Sequence, residues 1–176
     1  MKKWFLTCVL VLVSICTFAQ QYGYKGYDRR FGFTTVVGTY VCQNGIVTHK
    51  YSINGGPQQI QTYRCNPNVP GEDVLAVFDG IYYGKTVFSE LRKVSYEEGL
   101  SNSQRYIKNA ISNCENAAKY YRQGGCGQRA TGFTNMKNDL QNPLREDDIN
   151  EMIKFVQRIM NEYSHLNTSS TCGYVY

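Results

Sequence analysis

The chain changes its hydrophobic period partway along, and this change constrains the fold more than any other feature. Between Phe31 and Val94, β-branched and aromatic residues alternate with polar ones, and glycine-containing turns separate the runs, which is typical of strands. After Ser101, apolar residues recur at intervals of about three to four positions, which is typical of helices with one apolar face. Strands followed by helices predict an α+β fold.

The strand region is predicted to begin with a hairpin. Asn44-Gly45 favours the positive φ angles of a type I′ turn, the strongest short-range hairpin signal. A two-residue loop at this position sets Cys42 opposite Val47 and Tyr40 opposite His49. Alternation along the return strand then places His49 on the inner face of the sheet.

The remaining strand signals predict an antiparallel meander of about five strands in all. A third strand follows the turn at residues 54–57, and a proline-containing loop comes after it. Asp79-Gly80 has the composition of another hairpin turn, with a short apolar run before it and one or two strands after it. These further strands are predicted at residues 58–65, 74–78 and 81–94.

Two amphipathic helices are predicted in the C-terminal half. The first covers residues 101–123 and ends at Gly124-Gly125. The second is predicted to start at an N-cap on Asn142, with Pro143 in its first turn, and to run to about Tyr163. We expect both apolar faces to pack against the sheet, which gives a single disulfide-bearing α+β domain over residues 31–176.

The N-terminus has the organisation of a cleavable secretory signal peptide, residues 1–19. Its parts are a positively charged start, an uncharged apolar run and small residues before a cleavage site: Lys2 and Lys3, residues 4–15, and Thr17 with Ala19. The apolar run is shorter than the roughly 20 residues that a membrane-spanning helix needs. We therefore expect export to the periplasm or the extracellular space, in a bacterium, with no stable membrane insertion after cleavage.

Five cysteines follow the predicted leader: Cys42, Cys65, Cys114, Cys126 and Cys172. Outside the cytoplasm they are expected to form structural disulfides. Because five is odd, at most two intramolecular bridges form and one thiol remains, which we expect to be buried. Neighbouring strands favour Cys42–Cys65, whereas Cys126 has two alternative partners, Cys114 and Cys172.

The sequence has no convincing catalytic or metal-binding motif. His49 and His165 are the only histidines, and no close pair of cysteine or histidine ligands has zinc-site spacing, so we expect no metal or cofactor. The alternative is a small secreted hydrolase. In that hypothesis Cys126, flanked by glycines, is the nucleophile and a histidine is the base, or a histidine itself is catalytic.

Tyrosine is the most unusual feature of the composition, with 15 residues, all of them after the leader. Residues 20–30 are a glycine–tyrosine arm that we expect to be flexible or extended. Tyrosine and arginine are enriched at binding surfaces, and an extended arm can add to a sheet edge, its own or a partner's. The predicted binding residues of the arm are Tyr22, Tyr24, Tyr27, Arg29 and Arg30.

The charge pattern narrows the class of partner. Cleavage of the leader removes Lys2 and Lys3 and lowers the formal net charge by two from +5, and the remaining charges are mixed along the chain. Such a pattern does not favour a nucleic-acid ligand, which selects a concentrated basic stripe. We interpret the protein as an exported, non-enzymatic binding domain with a protein or carbohydrate partner, as an inhibitor or immunity protein would be.

Overall fold

The computed structural model describes residues 21–31, 34–66 and 68–174, with side chains described from Thr35 onward. The predicted signal peptide lies outside these residues. The fold is α+β, with four strands followed by helices. The strands are β1 (Gln21–Phe31), β2 (Thr34–Gln43), β3 (Ile46–Ile53) and β4 (Gln59–Arg64). The helices are α1 (Gly71–Leu91), α2 (Gly99–Gln123), α3 (Gly127–Asp139), α4 (Gln141–Leu144), α5 (Ile149–Glu162) and the 3₁₀ turn Ser164–Leu166.

The four strands form an antiparallel sheet in the order β1-β2-β3-β4. The β2–β3 hairpin has the predicted register, since Cys42 pairs with Val47 and Tyr40 pairs with His49. Asn44 has a φ angle of 51° and the following glycine one of 71°. These are the positive φ angles that a type I′ turn requires.

The prediction of strands beyond residue 74 is wrong, and with it the number of about five strands. This segment is helix α1, and Asp79-Gly80 lies inside it. Val74, Val77, Val87 and Leu91 are fully or almost fully buried, and their spacing fits one face of a helix. Because half of the positions between them are also apolar and lie on other faces of the helix, the sequence concealed this period.

Gly80 belongs to helix α1 for a reason of packing rather than of turn formation. A Cβ atom at this position would lie 2.9 Å from the Cγ and Cδ2 atoms of Tyr121. At Gly84 a Cβ atom would lie 2.7 Å from the Cζ atom of Phe133. The two glycines therefore let the aromatic rings of α2 and α3 approach the backbone of α1.

The predicted C-terminal helices are confirmed in part. Helix α2 covers the predicted residues 101–123 and begins two residues earlier, at Gly99. The second predicted helix starts at Ile149 instead of near Asn142, because the Asp148 carboxylate caps it and accepts from the Asn150 backbone N–H at 2.8 Å. The number of helices after the sheet is larger than the predicted two, since α1 and α3 were not predicted as helices and α4 is a separate short turn.

The described residues form two compact units, divided between Glu72 and Asp73. The sheet lies in the first unit, which we call the sheet unit, and the second is the helical unit. The helical unit has a continuous apolar core to which α1, α2, α3 and α5 contribute. Its fully buried members include Val87, Ile107, Cys114, Tyr121, Phe133, Met136, Leu140 and Met152. The single domain predicted over residues 31–176 stays a prediction.

Candidate functional site

Residues 21–30 of the predicted glycine–tyrosine arm lie in β1, an edge strand of the sheet. Its register with β2 sets Tyr22 opposite Cys42 and Tyr27 opposite Gly38, with an irregularity after Tyr22. Of the two expectations for the arm, flexible or extended, the backbone shows the extended one, added to the edge of its own sheet. The binding role assigned to Tyr22, Tyr24, Tyr27, Arg29 and Arg30 stays a prediction.

One face of strands β2 to β4 carries threonine, branched aliphatic and cationic side chains, and we call it the threonine face. The strand pairing aligns its residues in three rows: Thr39, Lys50 and Ile60; Val41, Thr48 and Thr62; Gln43, Ile46 and Arg64. Ile46 is 46% exposed and Ile60 is 59% exposed, so this face leaves apolar surface uncovered. A shallow recess of about 730 Å³ lies over its β2–β3 part, between side chains such as Thr39, Val41, Ile46 and Lys50.

The opposite face of the sheet is aromatic. The His49 imidazole is stacked between Tyr40, at 4.2 Å between ring centroids, and Tyr51, at 4.4 Å. His49 is 9% exposed, in agreement with its predicted inward position. These three rings therefore pack on one another on the face opposite to the threonine face.

Positive charge is concentrated in the sheet segment. Residues 20–66 contain five basic residues and one acidic residue, Asp28. Lys50 and Arg64 lie on the threonine face and are exposed. Since no acidic residue occurs between residues 29 and 66, these two cations give the face a positive charge within the sheet segment.

The helical unit has a cavity of about 540 Å³ beside the start of α3. The side chains that give it its chemistry are Cys126, Arg129, His165, Ser170 and Cys172. Cys126 and Cys172 form a disulfide with their Cα atoms 6.0 Å apart. Of the two partners considered for Cys126, the structure therefore has Cys172, and the bond leaves Cys126 without the free thiolate that a nucleophilic role requires.

Arg129 is the residue of this cavity that the sequence analysis missed. Its Nη2 atom donates to the Leu166 carbonyl oxygen at 2.6 Å, and its Nη1 atom donates to Thr168 Oγ1 at 3.1 Å. The guanidinium carbon also lies 5.0 Å from the centre of the Tyr121 ring. Nothing in the sequence distinguishes Arg129 from other arginines, because its partners come from residues nearly 40 positions later.

The other three cysteines among the described residues are free thiols, and all three are buried. The favoured Cys42–Cys65 pair is brought together but is not bonded, since the two Sγ atoms face each other at 3.4 Å as free thiols. Burial, followed by the hydrogen bond with Cys65, raises the pKa of Cys42 to about 12. Cys114 is fully buried in the helical core, where burial raises its pKa to about 12.

Among the described residues, no group of three or more histidine, cysteine, aspartate or glutamate side chains is placed to hold a metal ion. Within the same residues, no helix combines the length and apolar character needed to cross a membrane. In comparisons of the whole chain with known proteins, no family model, no curated protein and no solved structure matches it.

Proposed function

We propose that the protein is an exported, non-enzymatic binding domain whose sheet binds an acidic, extended segment of a partner protein. The observation that carries this proposal is the threonine face, where exposed branched side chains adjoin Lys50 and Arg64. An apolar surface beside exposed charges marks many interaction sites. Binding and blocking such a segment is what an inhibitor or immunity protein would do.

A protein partner is favoured over a carbohydrate by the distribution of aromatic rings. Sugar rings stack on exposed aromatic side chains. In the sheet, Tyr40, His49 and Tyr51 stack on one another on the opposite face. Ile46 and Ile60 instead offer the threonine face the branched apolar contacts that a peptide segment can bury.

Strand β1 extends the proposed surface along one edge of the sheet. At 11 residues it is about twice the usual strand length, and it is the first strand in the sheet order. An edge strand presents backbone N–H and C=O groups to which a partner strand can add. Its tyrosine and arginine residues are of the types that contribute most to binding at interfaces.

The disulfide Cys126–Cys172 is compatible with the export that this proposal includes. Disulfides persist in oxidising compartments such as the periplasm and the cell exterior. The predicted leader, residues 1–19, supplies the route.

The test uses a fluorescent peptide of alternating glutamate and valine as an extended acidic ligand. The wild-type mature protein should bind it, and affinity should fall as salt is added. Reversing both cations with K50E/R64E should weaken binding by roughly tenfold or more, because the charges face the ligand. K108E/K119E makes the same change of net charge on exposed positions of α2 and should alter the affinity by less than about twofold.

Two results would count against the proposal. An equal loss of peptide affinity in K50E/R64E and in K108E/K119E would show that net charge alone attracts the peptide. Binding of an uncharged β-glucan oligosaccharide without binding of the peptide would identify a carbohydrate ligand instead. Replacement of Tyr22, Tyr24 and Tyr27 by alanine tests the arm separately, with loss of peptide binding and a nearly unchanged melting temperature expected.

A further inference from the structure

The Cys126–Cys172 disulfide forms part of the wall of the cavity in the helical unit. Gln128, His165 and Ser170 line the same cavity and are exposed to solvent. Cys126 is 6% exposed, whereas Cys172 is only half-buried. A small molecule that enters the cavity therefore reaches the disulfide, and it reaches the Cys172 side more easily.

Cys126 occupies the N-cap position of helix α3, and no side chain caps this helix. Helix α5 shows what the position normally holds, since there the Asp148 carboxylate accepts from a backbone N–H of the first turn. An anionic acceptor at an N-cap is stabilised by the free N–H groups and by the helix dipole. A thiolate released at Cys126 would be such an acceptor.

Arg129 adds positive charge to the cavity that Cys126 lines. It lies in the first turn of α3, and its hydrogen-bond acceptors are the Leu166 carbonyl and Thr168, which are neutral. These contacts hold the guanidinium in place without cancelling its charge. Cations and helix N-termini both favour the thiolate form of cysteine.

The backbone at Cys172 gives an independent reason for this bond to open. Cys172 has a φ angle of 56°, in the left-handed region that is disfavoured for a residue other than glycine, asparagine or aspartate. The disulfide restrains Cys172 together with a turn in which the Tyr174 backbone N–H donates to the Thr171 carbonyl oxygen at 3.0 Å. Opening the bond removes one of these two restraints from the backbone.

We propose that Cys126–Cys172 is a thiol-exchange site for a small thiol that carries a carboxylate. The thiolate of the ligand attacks the Cys172 sulfur, a new sulfur–sulfur bond forms there, and the Cys126–Cys172 bond breaks with its electron pair going to Cys126. The products are a mixed disulfide at Cys172 and a thiolate at Cys126, so no further oxidant or reductant is needed. A second thiol can then release Cys172 and form the ligand's own disulfide.

The class of thiol follows from the cavity. Its volume of about 540 Å³ is within the range of small-molecule sites. Arg129 lies in its wall and favours a ligand with a carboxylate over one with an amine. This site lies in the helical unit, so the inference does not depend on the proposed binding function of the sheet.

The experiment treats the folded mature protein with mercaptoacetate or with cysteamine, traps free thiols with iodoacetamide, and maps the products by mass spectrometry. The rate at which each thiol opens the Cys126–Cys172 bond is divided by the rate at which the same thiol opens the disulfide of a linear peptide. This ratio corrects for the intrinsic reactivity of each thiol. We expect the mixed disulfide on Cys172, the alkyl group on Cys126, and a corrected rate for mercaptoacetate roughly fivefold above that for cysteamine.

Three variants test the role of charge. R129Q should remove most of the roughly fivefold preference for mercaptoacetate, because the attraction between unit charges is lost. R129K retains a charge and should keep a preference, and R122Q, an exposed position near the end of α2, should behave as the wild type. The proposal is overturned if the disulfide opens only in denaturant, if the mixed disulfide forms on Cys126, or if R129Q and R122Q give the same preference.

Discussion

The sheet unit and the helical unit differ in where their apolar residues lie. Among the side chains described from Thr35 onward, the buried apolar residues of the sheet unit are few: Cys42, Val47 and Cys65. Among the described residues, four of the five exposed large apolar side chains are also there: Val37, Ile46, Ile53 and Ile60, with Tyr96 the exception. The helical unit buries most of its apolar residues in one core, whereas the sheet leaves apolar side chains exposed.

The balance of basic and acidic residues also differs between the sheet unit and the helical unit. In the helical unit basic and acidic residues occur in nearly equal numbers and pair at the surface, as in Lys137–Glu115 at 3.3 Å and Lys154–Glu151 at 2.6 Å. The sheet segment has Asp28 as its single acidic residue beside five basic ones. Exposed pairs contribute little to stability, so this contrast in charge has little effect on folding.

The largest predicted effect contrasts one apolar side chain from each unit. Phe133 is fully buried and stacks on Tyr121 with ring centroids 5.7 Å apart. F133A should lower the free energy of unfolding by about 3–5 kcal/mol, because it removes buried surface and leaves a cavity. I60A, at a 59% exposed position, should change it by less than about 0.5 kcal/mol. Urea unfolding followed by circular dichroism measures both, and similar losses would contradict the contrast.

The second prediction concerns the buried thiol of the helical unit. The pKa of Cys114 is raised in the folded state from 9.0 to about 12, mainly by burial. Between these values the unfolded chain releases the proton and the folded protein keeps it. Stability from this group is therefore complete below pH 9 and is lost as pH rises toward 12, by up to about 1.4 kcal/mol per pH unit.

The C114A variant isolates this loss. Other groups with raised pKa values, such as Tyr121 and Cys42, are present in both proteins, so their contributions cancel in the difference. Urea unfolding at steps from pH 8 upward should show the wild type losing stability faster than C114A above pH 9. Parallel curves would show that Cys114 is reached by solvent in the folded state.

What the sequence predicted correctly in the two units was local. The β2–β3 hairpin depends on Asn44-Gly45 and an alternating strand, both of which are visible within a few residues. Helix α1 was wrongly predicted as strands because its apolar residues taken together show no clear period and its glycines resemble those of turns. Only Tyr121 and Phe133, many residues away, explain why glycine occurs there.

The candidate sites show the same limit. Helix α3 was missed because glycine, threonine and asparagine, which are weak helix formers, make up much of it, although Ala130, Phe133 and Met136 are buried at helical spacing. The Cys126–Cys172 bond could be considered but not chosen, since several pairings fit the chain equally well. The cationic threonine face could not be predicted without the strand register, which places Lys50 and Arg64 on one surface.

The smallest predicted effect tests whether the glycines of the helical unit serve packing. An exposed glycine in a helix costs up to about 1 kcal/mol relative to alanine, so substitution by alanine should normally stabilise. At Gly80 the new methyl group would lie 2.9 Å from the buried Tyr121 ring, and G80A should instead destabilise by about 1–2 kcal/mol. At Gly127, where a Cβ atom meets nothing within 4 Å, G127A should be neutral or slightly stabilising. If urea unfolding shows that G80A stabilises as well, the close approach of Tyr121 to α1 is wrong, and with it the tight core that distinguishes this unit from the sheet.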